Sequence, residues 1–225
     1  MKSARTCLLG MLCAMVPVAL LFSCSTSSIQ NTEIELKPLS PFQMNDRYIT
    51  AVLPYQFKGE QEQYGHLSDK LIDITVVELF NTKRFRIVER SRIDAILGEI
   101  QLSQQGITED KMASEIGKQV GAEMVFIGVL SAIKPIKKKD TVGIASVIAQ
   151  GFEVTMQGRL IDISKGEVVA VGQANGVEIH KEHMALGART GSIDAEETLL
   201  NRAMEKAVKL LVNEFASQIL PKSDR

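Results

Sequence analysis

The apolar positions of this chain change period several times, and each change marks an element. Tyr48–Leu53 is a short apolar run closed by Pro54, the pattern of a strand. Leu67, Leu71, Ile74, Val77 and Leu79/Phe80 then recur at helical spacing over about 67–82, with Ser68 as a candidate N-cap. Phe85 and Ile87 alternate with Arg86, and the period switches again to Ile93, Ile96, Leu97 and Ile100. Phe85–Glu99 therefore passes from strand to helix within a few residues. Ser91 with Asp94 has the spacing of a capping box, and the charged corner Glu89-Arg90 reads as structural. Gly106 ends that helix and Thr108 caps the next. Met112, Ile116 and Val120 form its apolar face, and Gly121 stops it. Glu123–Ile133 is nearly continuous in apolar residues, as a strand buried on both faces would be.

The second half changes character. Residues 132–150 look irregular, with Pro135 and the solvated run Lys137-Lys138-Lys139. Phe152, Val154, Met156 and Leu160 alternate with polar residues as a half-exposed strand. Ser164-Lys165-Gly166 turns that strand into Val168–Val171, making a hairpin. Residues 172–193 are glycine-rich and polar. From Asp194, with Glu197 three residues on, a long amphipathic helix carries Leu199, Leu200, Ala203, Ala207, Leu210, Leu211, Phe215 and Ile219 to Pro221. The expected fold is α/β: a mixed β-sheet flanked by helices, in the order β-α-β-α-α-β-β-β-α, one domain with a long C-terminal helix.

The N-terminal end follows different rules. Lys2 and Arg5 precede an apolar run from Cys7 to Phe22, the pattern of a signal peptide over residues 1–23. Pro17 and the serine-rich flank argue against a spanning helix, which needs about 20 apolar residues. Leu21-Phe22-Ser23-Cys24 is a lipobox, so Cys24 is the expected lipidation site, its thiol taking a diacylglycerol. Several acyl chains, at about 0.8 kcal/mol per buried methylene, anchor such a protein firmly. Ser25 after the cysteine fits sorting to the outer membrane, with the domain facing the periplasm. Residues 24–46 carry Pro38 and Pro41 and read as a lipidated tether, leaving residues 47–225 as the domain.

Composition narrows the functional classes. The chain has 225 residues and a formal charge of −1, and removing Lys2 and Arg5 makes it more acidic, so nucleic acid is not an expected partner. Its three cysteines are Cys7, Cys13 and Cys24, so the processed chain has no pair for a disulfide. Tryptophan is absent, so the core is aliphatic. No phosphate loop, nucleophile elbow or thiol nucleophile emerges, and no enzyme or cofactor is expected. His180 and His183 are three apart with no third ligand beside them, so no metal site is expected. His66 stands alone. The aromatics Tyr55, Phe57 and Tyr64 follow the first strand, where they either cover the sheet end or line a site or a ring of subunits.

Several segments together carry a family likeness. Phe85–Glu99, read F-x-I-V-E-R-x-x-I-x-x-I-L-x-E, is similar to the segment that marks the CsgG family of curli production assembly/transport lipoproteins. Gln104-Gln105-Gly106, Ile116-Gly117-Lys118 and Gly121–Gly128 continue the likeness, as do Ala51-Val52-Leu53 and Arg159–Val168. The lipobox fits as well. The resemblance implies an α/β periplasmic domain on an outer-membrane lipoprotein. It implies a homo-oligomer, a ring whose subunits each give two β-hairpins to a shared barrel, and a narrowing loop near the first strand. Tyr55 and Phe57 occupy the position of that loop. An exported protein or an envelope protein is the implied partner. Residues 133–158 and 172–193 hold the positions of the two hairpins. They depart from the pattern of spanning strands, because Lys134, Lys137, Lys138 and Lys139 crowd one and Lys181, Glu182, His183 and Arg189 interrupt the other. A second expectation is therefore a non-pore accessory lipoprotein that regulates an envelope machine.

Overall fold

Strand β1 (Tyr48–Val52) lies inside the sheet, parallel to β3 (Phe85–Ile87) on one side and to β4 (Met124–Val142) on the other. The computed structural model describes residues 34–57, 59–103, 109–142, 145–185, 188–190 and 195–224. A two-residue strand β2 (Gln56–Phe57) also runs parallel to β4. Parallel neighbours require crossovers, which here contain helices α1 (Ser68–Asn81), α2 (Arg90–Ser103) and α3 (Glu109–Val120). Past β4 the sheet becomes antiparallel, with β5 (Ala145–Asp162), β6 (Glu167–Ala185) and the short β7 (Ala188–Thr190). Helix α4 (Glu196–Gln218) closes the fold. The order β3-β1-β4-β5-β6-β7 is the mixed sheet expected from the sequence.

Alternation along the central strands assigns the two faces. Tyr48, Val52, Met124 and Phe126 point into the core shared with α1 and α4. Ala51, Leu53, Val125 and Ile127 point the other way, into a smaller core with Ile93, Ile116 and Val120 of α2 and α3. Gly121 has φ +71°, and the Ala122 N–H donates to Gly117 O at 2.8 Å, so the glycine stops α3 as expected. The turn after β5 also forms as read, with Gly166 at φ +69° and its N–H bonded to Asp162 O at 2.8 Å.

Two long segments differ from their sequence reading. Residues 132–150 are not irregular: β4 runs through Pro135 and all three lysines of the run, paired residue by residue with β5. Pro135 is tolerated because its missing N–H faces outward. The Ile133 N–H, two residues earlier on the same edge, bonds Gln61 Oε1 at 3.0 Å rather than a neighbouring strand. Residues 172–185 are also strand, not a polar loop. Their glycines mark where α4 presses on the sheet. A Cβ on Gly176 would collide with the Ala203 carbonyl and lie 2.6 Å from the Ala207 nitrogen.

Two caps differ as well. Ser68 does not cap α1; its Oγ accepts the Tyr55 N–H at 3.3 Å. Ser91 lies 3.5 Å from Glu89 Oε1 and makes no capping box, while Asp94 pairs with Arg90. Arg90 also binds Asp69 at 2.6 Å and Asp73 at 3.7 Å, tying α2 to α1, and these acids raise its pKa, chiefly through the hydrogen bond it donates to Asp69. Thr108 and Asp194 lie outside the described residues.

The stretch before β1, read as tether, runs along the body over residues 34–46. The Lys37 N–H donates to Asn213 Oδ1 at 2.8 Å and its carbonyl accepts from Asn213 Nδ2 at 3.0 Å. Phe42 is buried under the Arg84 guanidinium, 4.4 Å from ring centroid to Cζ. Arg84 reaches Ser40 O, Ala216 O and Ile219 O, and burial lowers its pKa. This residue therefore ties the strap to the end of α4.

Candidate functional site

Beyond Leu130 the sheet continues as a three-stranded arm. Up to that residue β4 is flanked by β1 and β2 as well as β5; past it, among the described residues, only β5 pairs with it. At a rise of about 3.3 Å per residue, β4 projects roughly 40 Å farther, to Val142. The register shifts between Leu130 and Ala132, a bulge that changes which side chains face α4. Lys137 faces the helix, 3.0 Å from Glu196, so Lys139 shares that face and Lys134 and Lys138 take the opposite one. The four lysines thus fall on both faces of the arm.

Helix α4 runs along β5 and β6 far into the arm. Phe215 stands edge-on to Phe126, 5.5 Å between centroids, under Gly158 and Gly172. Farther out Lys206 pairs with Glu178 at 2.6 Å, and Leu199 meets Ile148, Gln150, His180 and Glu182 around a gap of about 10 Å³. The outer edge of β6 is also engaged. The Gln218 carboxamide accepts from the Val171 N–H at 3.3 Å and donates to its carbonyl at 2.9 Å. Lys206 donates to Val177 O at 3.2 Å. These contacts occupy backbone groups that a neighbouring strand would use.

The outer ends of β5 and β6 lie side by side, since Ala145 is opposite Ala185. The pairs β4–β5 and β6–β7 are unequal. Strands β4 and β5 have 19 and 18 residues, while β7 has three. A membrane-spanning strand needs about 9–11 residues with an apolar band on one face. The arm carries Lys137, Lys139, Glu178 and His180 on its α4 side and Lys134, Lys138, Glu153 and Lys181 on the other, by the pleat and register.

The residues singled out from sequence scatter. Tyr55 is a core residue: its ring lies 6.0 Å from Phe126 and fills the space above Gly128. Its hydroxyl pairs with Thr75 Oγ1 at 2.6 Å, and burial raises its pKa. Phe57 is half-buried on β2, and Tyr64 is half-buried in the turn before α1. Cys24 lies outside the described residues. His180 and Glu182 stand on β6 rather than in a loop, and Glu182 is buried beside Leu199. The His183 side chain lies outside the described residues. Arg84, Gln218 and the glycines of β6 were missed by sequence reasoning. Only the glycines left a signal, since Gly172 and Gly176 are spaced to share one strand face and α4 offers Ala203 and Ala207.

The model of the curli production assembly/transport component CsgG matches residues 39–223. The chain belongs to the CsgG family. No curated protein matches. Among solved structures, the LpoB C-terminal domain from Escherichia coli is 16% identical, covers 60% of this chain and 84% of its own, and gives a TM-score of 0.35. The PelC dodecamer from Paraburkholderia phytofirmans is 15% identical over 79% of this chain and 96% of its own, with a TM-score of 0.36. Lipoprotein GNA1162 from Neisseria meningitidis is 12% identical over 60% and 83%, with a TM-score of 0.34. At these identities and scores the three likenesses carry no weight for function.

Proposed function

We propose that this CsgG-family chain is a non-pore accessory lipoprotein, acylated on Cys24, held at the outer membrane and facing the periplasm. It acts as a homo-oligomer that binds and regulates a protein machine of the envelope, and it is not an enzyme. The observation that carries this reading is the arm. It has charge on both faces and α4 along one of them. A barrel wall needs one face for lipid and the other for water.

A second reading, a secretion component of the curli type that exports a protein substrate, is favoured by one observation: the pairs β4–β5 and β6–β7 have their linked ends at the same end of the sheet. In that state Phe57 and the loop after β1 would narrow the channel. Purified, lipidated protein in planar bilayers separates the two. The accessory reading expects no single-channel conductance, and reproducible unitary currents would replace it with the second. Cys24→Ala is expected to move the chain from the membrane to the soluble fraction. Unchanged fractionation would end the lipoprotein assignment.

A further inference from the structure

A cleft of about 660 Å³ opens at the end of the sheet opposite the arm. Its walls come from the first residue of β1, the end of α3 and its link to β4, the end of β5 with the turn after it, and the C-terminal tail. Two carboxylates stand in it, and both are already bonded. Glu123 Oε2 accepts the Ile49 N–H at 2.8 Å, and its Oε1 accepts from Lys222 at 2.7 Å. Asp162 Oδ1 accepts the Ser164 N–H at 2.9 Å, the Ser164 hydroxyl at 2.6 Å and the Lys165 N–H at 3.2 Å. Lys222 is held in place over the Tyr48 ring, 5.3 Å from its centroid. Two further ammonium groups line the cleft, Lys118 from the last turn of α3 and Lys165 from the β5–β6 turn. Both residues are exposed, and neither side chain has a partner among the described residues. Between them Ala122 and Ile163 supply an apolar wall.

We propose that this cleft binds an acidic peptide segment of a partner protein, with Lys118 and Lys165 each taking one carboxylate and an apolar side chain between them resting on Ala122 and Ile163. The bonded carboxylates decide the ligand class. A phosphate concentrates its charge on one group and meets the repulsion of Glu123 and Asp162. Carboxylates spread along a peptide reach the rim lysines and avoid the wall. Lysine provides a point charge on a flexible stem, which suits such a ligand, and no arginine fork lines the cleft. The lysines of the arm are the competing basic surface, but Lys137 is paired with Glu196 and Lys138 with Asp140. The site does not depend on whether the arm enters a membrane, so it goes beyond the accessory reading.

The test is fluorescence anisotropy of a labelled peptide of alternating Glu and Ala, titrated with the full chain in detergent at low salt. The double variant Lys118→Glu/Lys165→Glu is expected to weaken binding by about tenfold or more. Lys137→Glu/Lys138→Glu is expected to leave it within about twofold, and binding of the unaltered chain is expected to fade as salt is raised. The proposal is overturned if the peptide does not bind at low salt. It is equally overturned if the arm variant takes the loss, or if inorganic phosphate displaces the peptide at matched concentration. Circular dichroism of both variants, expected to match that of the unaltered chain, keeps the comparison about charge.

Discussion

The strands β4, β5 and β6 run through two regions that differ in almost everything except backbone pairing. Below Leu130 they lie between two helical layers, and their side chains are Met124, Phe126, Met156 and Leu160, all fully buried. Beyond it the same strands mix lysines, glutamate and threonine with Ile133, Ile136, Val154 and Ile179, and α4 covers one side. Inter-strand hydrogen bonds and register are sufficient to extend a sheet once a body has fixed its geometry. Burial is needed to start the sheet; it is not needed along its whole length. The extension is then free to carry polar side chains, as antiparallel sheets commonly do on a solvated face.

That contrast can be tested most severely at the seam between helix and arm. Gly176→Leu forces a side chain into the backbone of α4, and we expect a loss of about 3 kcal/mol, seen as a fall in Tm of about 6–12 °C. A Tm unchanged by this substitution would mean that α4 does not rest on β6. Arg84→Met comes next. It leaves the Ser40, Ala216 and Ile219 carbonyls without their cationic donor, for an expected loss of about 2 kcal/mol in chemical denaturation. Faster proteolysis of the strap in this variant would show which end of the contact gives way.

Substitutions in the outer arm should do much less. Lys137→Ala removes one exposed pair with Glu196, worth about 0–1 kcal/mol, and a Tm drop as large as that of Gly176→Leu would erase the distinction between body and arm. The smallest effect concerns pH. The hydrogen bond from Lys37 to Glu214, with a further contribution from Gln218, holds that carboxyl below its usual pKa. A depressed folded-state pKa gives stability that is present above the unfolded value, about 4.3, and fades as pH falls through the folded one. Strap docking, followed by amide exchange over residues 35–42, should therefore weaken only on acidification below pH ~4. The partial exposure of the pair keeps the effect small.

The interior was legible because its signals are local. Gly121 stops α3, Gly166 turns the hairpin, and the switch of period in Phe85–Glu99 becomes β3 followed by α2. The arm was illegible for a physical reason: its punctuation answers to distant partners. Pro135 reads as a breaker until the free edge beside it is known, and Gly176 reads as a loop residue until α4 is laid across it. Tyr55 likewise reads as a loop aromatic, and only Thr75 and Phe126, brought from other elements, make it core. The basic cleft draws on four separate parts of the chain, so no window of sequence contains it.

The pairing of Gln218 with Val171 has one more consequence. A long antiparallel strand at a sheet margin is a template for end-to-end growth into fibres, and Val168 and Val171 on this margin are more than half exposed. The glutamine presents the same donor and acceptor that an incoming strand would bring. Growth by templating can therefore begin there only after the last turn of the C-terminal helix has let go, which makes one carboxamide a guard against polymerisation.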